Sequence, residues 1–287
     1  MKDIKIVVDT SADTPQEIVD KYNFGMLRFM SVFGEESFVT GTEITNEQFF
    51  EKLTTSDVTP TTAQTPYGDM YDYLLEQCKK HESVIYFAIS SKGSGQYNTA
   101  RLVKEEILEE YPQADLHIVD TMTYSLYIAR MAIHASEMIK AGEEDIPKII
   151  EESVASTQNW KCFLLVDTLK YLERGGRINK ASAVVGTLLD IKPVLGVKDG
   201  LIESHDKLRG HKKLVDKLIE KACDDPDFDD ENPAFLIVHS AQDKANQLKE
   251  KLEDRFGEGC VEIITDFGPI IGTHVGPGAF AIIERTK

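Results

Sequence analysis

The chain has 287 residues, of which 32 are Lys or Arg and 49 are Asp or Glu, so its net charge is −17. A hydrophobic fraction of 41% and a charged fraction of 28% are typical of a globular protein rather than a disordered one. The length predicts about two domains. The negative charge disfavours general binding to nucleic acid and adhesion to an anionic membrane leaflet. No apolar run approaches the ~20 residues of a membrane-spanning helix.

The N-terminal segment and the cysteines both predict a cytoplasmic location. Residues 1–3 lead directly into a strand-like segment, without the apolar stretch of a secretory signal. The cysteines are widely spaced and form no C-x-x-C pair, as is typical of reduced core thiols. No spacing of His, Cys, Asp or Glu matches a metal site, so we expect no metal. We also expect no cofactor of the chain's own.

Strand and helix patterns alternate along residues 1–157. Short apolar or β-branched runs predict strands at 4–8, 27–33, 84–89 and 116–119, with a hairpin back to Val39 after the second. Helices are predicted from Pro15, from Thr45, and over 66–80, 97–111, 124–140 and 147–156. This alternation predicts an α/β N-terminal domain, in which helices cover both faces of a parallel sheet.

Residues 158–287 have a different pattern and predict a mixed-sheet α+β C-terminal domain. Strands are predicted at 163–166, 195–197, 201–202, 235–238, 261–264 and 280–283, and Asp199-Gly200 predicts a hairpin turn. A basic helix is predicted over 209–223, and another helix over 242–256. The segment 181–189 is apolar on every side, which predicts a buried helix. Such a helix would either be core between the halves or form the wall of an apolar tunnel.

The loop from Ser90 to Gly95 is the first candidate binding site. It follows a predicted strand and precedes a predicted helix, where free backbone N–H groups and the positive helix end can meet an anion. Gly93 and Gly95 permit close approach, and the Ser94 hydroxyl can donate a hydrogen bond. No phosphate-binding P-loop motif occurs, so a small, singly charged anion suits this loop better than a triphosphate. The local pattern fits an ordinary capped helix equally well.

Two further segments carry groups that can bind an anion. Residues 173–177 place two arginines around a glycine pair, and arginine suits bidentate capture of a carboxylate, although a charged helix end is the simpler interpretation. Residues 268–278 are rich in Gly and Pro and predict a shaped loop around His274. An imidazole there could donate to a carboxylate or shuttle a proton. The polar run 59–66 is interpreted as a loop with an N-cap at Thr65.

A basic run from Lys207 to Lys221 contrasts with the acidity of the whole chain. Usually such a run is one solvated helix face. On this chain it is also the most favourable place to meet an acidic partner or a bilayer.

Several ordered segments resemble signatures of the DegV family. Asp9-Thr10-Ser11-Ala12-Asp13 resembles its N-terminal D-S/T-S/T-x-D motif. The segment 90–100 resembles S-S-x-x-S-G-T-Y-x-x-A, and 167–178 resembles D-x-L-x-x-L-x-x-G-G-R-I. Residues 191–193 and 268–278 also resemble family positions, so the likeness spans essentially the whole chain.

The resemblance implies a two-domain fatty-acid-binding protein that acts as the acyl-carrying subunit of a bacterial fatty acid kinase and is not itself an enzyme. The acyl tail would occupy a buried apolar tunnel, and the carboxylate would lie near the domain interface. A separate ATP-binding kinase subunit would phosphorylate the carboxylate to acyl phosphate, with transient membrane contact as a further expectation. The resemblance assigns the carboxylate to Thr62, Ser94, Gly95, Arg177 and His274. It also points to Arg209 and Gly276 as ligand or partner contacts.

The residues also fit two other functions. A serine hydrolase could use Ser94, His274 and an acidic residue such as Asp9 or Asp120, although Ser94 does not lie in a G-x-S-x-G motif. A non-catalytic sensor of acyl chains would bind the same ligand without passing it on.

Overall fold

The computed structural model describes residues 2–178, 191–210 and 212–287, and the predicted apolar helix at 181–189 lies outside them. The chain divides into two units. The first comprises Met1–Thr45 and Pro60–Thr157, and the second comprises Asn46–Thr59 and Gln158–Lys287.

The first unit carries most of the predicted strand and helix alternation. In chain order, and including the α2 segment that belongs to the second unit, the elements are β1 (Ile4–Asp9), α1 (Gln16–Tyr22), β2 (Gly25–Leu27), β3 (Met30–Phe33), β4 (Glu36–Val39), α2 (Asn46–Thr55), β5 (Thr61–Ala63), α3 (Tyr67–Lys80), β6 (Ser83–Ala88), α4 (Gln96–Glu110), β7 (Leu116–Asp120), α5 (Leu126–Lys140) and α6 (Ile146–Ala155).

A parallel sheet with strand order β2-β1-β6-β7 forms the centre of the first unit. Every residue of β6 is buried, as expected for a parallel strand covered on both faces. Val84, Tyr86 and Ala88 form one core with α3 and α4, while α5 packs against β1 and β6. The predicted parallel-sheet domain with helices on both faces is confirmed.

A smaller antiparallel sheet has the strand order β4-β3-β5, and its third strand, β5, has no counterpart among the predicted elements. The expected single strand at 27–33 is wrong, because β2 pairs with β1 whereas β3 pairs with β4 and β5. The break lies at Phe29, whose N–H donates to the side chain of Thr10 instead of to a strand. The predicted hairpin back to Val39 is present as β3 and β4.

The second unit contains a mixed sheet. In chain order after α2, its described elements are β8 (Trp160–Leu165), α7 (Lys170–Gly175), β9 (Ile191–Lys198), β10 (Leu201–Arg209), α8 (Leu214–Cys223), β11 (Phe235–His239), α9 (Gln242–Phe256), β12 (Val261–Asp266), α10 (Pro269–Val275) and β13 (Phe280–Arg285). The strand order is β10-β9-β8-β13-β11-β12, in which β11 and β12 are parallel and the other neighbours antiparallel. This confirms the predicted mixed α+β domain.

Helices α8 and α9 cover one face of this sheet. Leu218 of α8 and Leu248 of α9 are fully buried and share a core with Phe235, Ile237 and Phe280 from the central strands. The apolar positions of both helices recur at intervals of three and four residues, so each helix presents one apolar side to the sheet.

The predicted Gly/Pro loop at 268–278 is wrong, because most of it is helix α10. Pro269 occupies the first turn, where its missing N–H costs nothing, and Ile270 and Ile271 are buried. Gly272 is required by packing, since a Cβ at this position would lie 2.8 Å from Phe50. This contact also explains why α2 belongs to the second unit.

Two predicted helix starts are displaced. The basic helix expected from Arg209 begins at Leu214, because residues up to Arg209 form β10 and Gly210 has a positive φ of 78°. Helix α1 begins at Gln16, with Pro15 as its cap rather than its first residue.

Within the described ranges, no helix is long and apolar enough to cross a membrane.

Candidate functional site

In the first unit, the candidate anion site lies at the N-terminus of α4. Gly95 is the N-cap, and Ser94 precedes it. The Ser94 Oγ accepts a hydrogen bond from the Gln96 N–H at 3.3 Å, and Ser94 is only partly buried. The helix has 15 residues, so its partial positive charge and free N–H groups are available to an anion.

Thr62 reaches the same region through β5, a strand that the sequence did not reveal. It pairs with Ser31 of β3 and is partly buried. Two residues further on, the Gln64 Nε2 donates to the Thr99 Oγ1 on α4 at 2.8 Å. A Cβ added to Gly95 would lie 2.8 Å from the Gln64 Oε1, so this side chain covers the start of the helix. The structure therefore brings Thr62, Ser94 and Gly95 to neighbouring segments of one unit.

A buried polar network lies behind these segments. The Tyr86 Oη donates to the Asp9 Oδ2 at 2.6 Å and accepts from the Gln96 Nε2 at 3.0 Å. Asp9 also accepts from the N–H and hydroxyl of Ser11 and from the Ile89 N–H. Burial raises the pKa of the Asp9 carboxyl, and these hydrogen bonds oppose the shift. Burial and the neighbouring Asp9 raise the pKa of Tyr86 well above its ordinary value.

Sequence reasoning identified Asp9 as a motif residue but missed Tyr86 and Gln96. Its expectation of an N-cap at Thr65 is wrong, because Pro66 is the cap of α3. Thr65 is buried and bonds to Gln96 instead. A glutamine at the first position of a helix gives no signal in a single sequence that its side chain is buried.

In the second unit, the Gly175-Gly176-Arg177 segment ends α7. Gly176 adopts the left-handed conformation with a φ of 69°, and the N–H groups of Gly176 and Arg177 donate to Glu173 and Leu172. This is a helix-ending arrangement that glycine makes without strain. It turns the Arg177 side chain back so that its Nη1 donates to the Gly175 carbonyl.

His274 lies in the last turn of α10, close to this helix end. Its Nδ1 is buried and has no hydrogen-bond partner among the described residues. Burial, together with the positive charge of Arg177, lowers the pKa of His274 to about 4. The imidazole is therefore neutral at neutral pH and offers one N–H donor. The structure thus brings Arg177 and His274 together within the second unit.

Gly276 ends α10 and is held by Ser240. Its φ is 75°, its carbonyl accepts from the Ser240 Oγ at 2.8 Å, and a Cβ here would lie 2.3 Å from Tyr171. Arg209 is exposed at the end of β10, and its carbonyl accepts from the Lys217 Nζ at 2.5 Å. The predicted basic helix face is therefore divided between a strand end and α8.

The donors around Ser94 suit anion binding better than nucleophilic catalysis. A serine nucleophile needs a base within hydrogen-bond reach. Within the described part of the first unit, no imidazole or carboxylate pairs with the Ser94 Oγ. The acidic candidates are engaged elsewhere: Asp9 in the buried network, and Asp120 by the N–H groups of Ser91 and Met122.

No group of three or more His, Cys, Asp or Glu side chains in residues 2–178, 191–210 and 212–287 is arranged to hold a metal ion.

Comparison with known proteins gives a family match over almost the whole chain. The family described as "uncharacterised protein, DegV family" matches residues 3–287. A DegV domain-containing protein of Clostridium perfringens is 32% identical over 292 residues, covering 98% of this chain and 97% of the relative. Another from Clostridium acetobutylicum is 30% identical over 289 residues, covering 99% and 98%.

Solved structures share the fold over the full length. The crystal structure of Bacillus subtilis DegV, described as a fatty acid binding protein, has a TM-score of 0.84 and 27% identity, with 100% of each chain covered. A Thermus thermophilus family protein, whose description is of fatty acid binding, has a TM-score of 0.85 and 26% identity, also with 100% of each chain covered.

Proposed function

Since this chain belongs to the DegV family, we propose that it binds a long-chain fatty acid and presents the carboxylate to a separate ATP-dependent kinase subunit. The solved relatives from Bacillus subtilis and Thermus thermophilus are both described as binding fatty acids. In this proposal the chain is a lipid-carrying subunit rather than an enzyme, and the acyl tail occupies an apolar tunnel. The tail would supply most of the affinity, at ~0.8 kcal/mol for each buried CH₂.

The observation that carries the proposal is the group of hydroxyl and backbone N–H donors at the start of α4. Ser94 and the N-cap Gly95 lie there beside the Thr62 strand, and Gln64 joins the two segments. Hydroxyl and backbone N–H donors without a nearby base suit one carboxylate.

The second unit also contains a pair of groups that can bind an anion. Arg177 is a permanent cation, and His274 is neutral because its pKa is about 4. We propose that both side chains bind the head group of the ligand, and that Arg177 counters the additional negative charge when phosphate is added. We propose that Gly276 and Arg209 contact the ligand or the kinase subunit. The basic side chains near Arg209 would make a transient contact with an anionic bilayer.

Binding to delipidated protein tests the carboxylate assignment. Thr62→Val and Ser94→Ala should each weaken affinity for a long-chain fatty acid about tenfold, the effect of losing one hydrogen bond to a charged group. Thr61→Val is the matched control on β5, because Thr61 is exposed and successive strand residues face opposite sides. Equal affinity of all variants and the wild type would contradict the assignment.

A reconstituted reaction tests the kinase role. Adding an ATP-binding fatty acid kinase subunit and ATP to the loaded protein should produce acyl phosphate. Tight fatty acid binding without any acyl phosphate would instead support the sensor function. Because the proposed reaction consumes ATP, we propose a cytoplasmic location.

A further inference from the structure

Gln96 makes more hydrogen bonds than a helix-starting residue requires. Its side chain is completely buried. The Oε1 accepts from the Thr65 N–H at 3.1 Å, and the Nε2 donates to the Thr65 Oγ1 and the Tyr86 Oη, both at 3.0 Å. Its own N–H donates to the Ser94 Oγ at 3.3 Å. One residue therefore contacts the segment after Thr62, the loop that carries Ser94, and the core of the unit.

The orientation of this amide is fixed by its partners. The backbone N–H of Thr65 can only donate, so the oxygen of Gln96 must face it. The nitrogen therefore donates to the Thr65 Oγ1 and to the Tyr86 Oη. Because Tyr86 accepts from Gln96, its single proton is given to Asp9. The bonds thus run in one direction, from amide to phenol to carboxylate, and Asp9 anchors them at the end of β1. Such a fully satisfied buried network rigidifies its surroundings.

The network connects two separate pieces of backbone. Thr65 follows β5, which belongs to the small antiparallel sheet through the pairing of Thr62 with Ser31. Ser94 precedes α4, which packs on the parallel sheet. The hydrogen bond between Gln64 and Thr99 also joins these two pieces, but it is only partly buried. The buried hydrogen bonds of Gln96 are therefore the more rigid connection. Two hydroxyls can engage one carboxylate only if their separation is held, and a misplacement of about 1 Å is costly.

We propose that Gln96 is a positioning residue that fixes the Thr62 and Ser94 hydroxyls relative to each other and so gives the site its preference for a carboxylate over a neutral head group. This inference rests on the proposed function. Gln96 itself does not touch the ligand; it acts through Thr65 and through the loop of Ser94. Its loss should therefore change recognition of the head group and leave binding of the tail unchanged.

The test compares a long-chain fatty acid with the fatty alcohol of the same chain. Gln96→Met keeps the length of the side chain but removes both amide groups. It should reduce the acid-to-alcohol affinity ratio about tenfold, the effect of misplacing one charge-assisted hydrogen bond, with alcohol affinity within about twofold of wild type. Gln77→Met is the control, since Gln77 is also buried in the first unit but lies outside the network. Its ratio should match the wild type.

The outcomes separate this inference from the proposed function. A folded Gln96→Met protein with the wild-type ratio, or with equal losses for acid and alcohol, would overturn the positioning role alone. A wild-type protein that binds neither ligand would overturn the proposed function, and this inference with it. If Gln96→Met does not fold, Tyr86→Phe breaks the same chain of bonds with little change in shape and should also lower the ratio. An unchanged ratio in that variant would overturn the inference.

Discussion

A Cβ atom added to Gly175 would lie 2.2 Å from the Nδ1 of His274, so the imidazole packs directly on the backbone that leads to Arg177. Atoms this close cannot coexist without movement. The glycine therefore allows α7 and α10 to place a cation and a neutral imidazole side by side. The contact links two segments, 167–178 and 268–278, that are separate motifs in the sequence.

Replacing Gly175 with alanine should displace the His274 ring. We expect Gly175→Ala to lower the free energy of unfolding by about 1–3 kcal/mol, as overpacking does, and to weaken fatty acid binding. Urea unfolding and a binding titration measure the two effects.

Gly68→Ala is the matched control for this substitution. Gly68 also lies in a helix, and a Cβ there would meet nothing within 4 Å. That variant should gain about 0.5–1 kcal/mol of stability from its better helix propensity. If both variants gain a similar free energy of unfolding, an alanine at position 175 does not clash with His274, and the prediction is wrong.

Glu284 should make the protein less stable as the pH rises. Its carboxyl is buried on β13, and neither oxygen has a hydrogen-bond partner among the described residues. Burial, reinforced by the negative charge of Asp225, raises the pKa of Glu284 to about 9. Because the folded state retains the proton, stability is lost between about pH 4.5 and 9, at up to about 1.4 kcal/mol per pH unit.

Glu284→Gln tests this pH dependence. The variant cannot ionise at this position, so its stability advantage over the wild type should grow as the pH rises from 5 to 8.5. Glu220→Gln, on an exposed position of α8, is the matched control for the loss of one negative charge. An advantage of Glu284→Gln that is independent of pH would show that the carboxyl ionises freely in the folded protein.

His274 should act in the opposite direction at acidic pH. Its folded pKa of about 4 lies below the ordinary value of 6.5, so the unfolded chain binds the proton more readily. The wild type should therefore lose stability as the pH falls from about 6.5 towards 4. His274→Gln should remove this loss, which is measured as the difference in unfolding free energy between the two proteins at each pH. Parallel profiles for both proteins would contradict the assignment of a buried, neutral imidazole.

The strands and helices with strong periodicity could be predicted from the sequence, whereas features set by long-range contacts could not. The apolar run around Tyr86 required a buried strand whatever it paired with. Strand β5, in contrast, is a polar segment whose conformation depends on pairing with β3. The glycines in and around helix α10 predict a loop. The reason for Gly272 is its packing against Phe50, a long-range contact that the sequence does not reveal.

The candidate site shows the same division. Ser94 and Arg177 could be identified because each lies in a local motif. The neutral state of His274 could not, since it follows from burial and from Arg177, a residue 97 positions away in the sequence. The role of Gln96 depends on side-chain hydrogen bonds to Thr65 and Tyr86, which lie 31 and 10 positions before it and which no local pattern predicts.

The most direct test of the proposed function is native mass spectrometry of the protein expressed in bacteria and purified gently. We expect a mass that exceeds the polypeptide mass by one long-chain fatty acid, and loss of this adduct on denaturation. Only the bare polypeptide mass, in protein that also fails to take up added fatty acid, would contradict it.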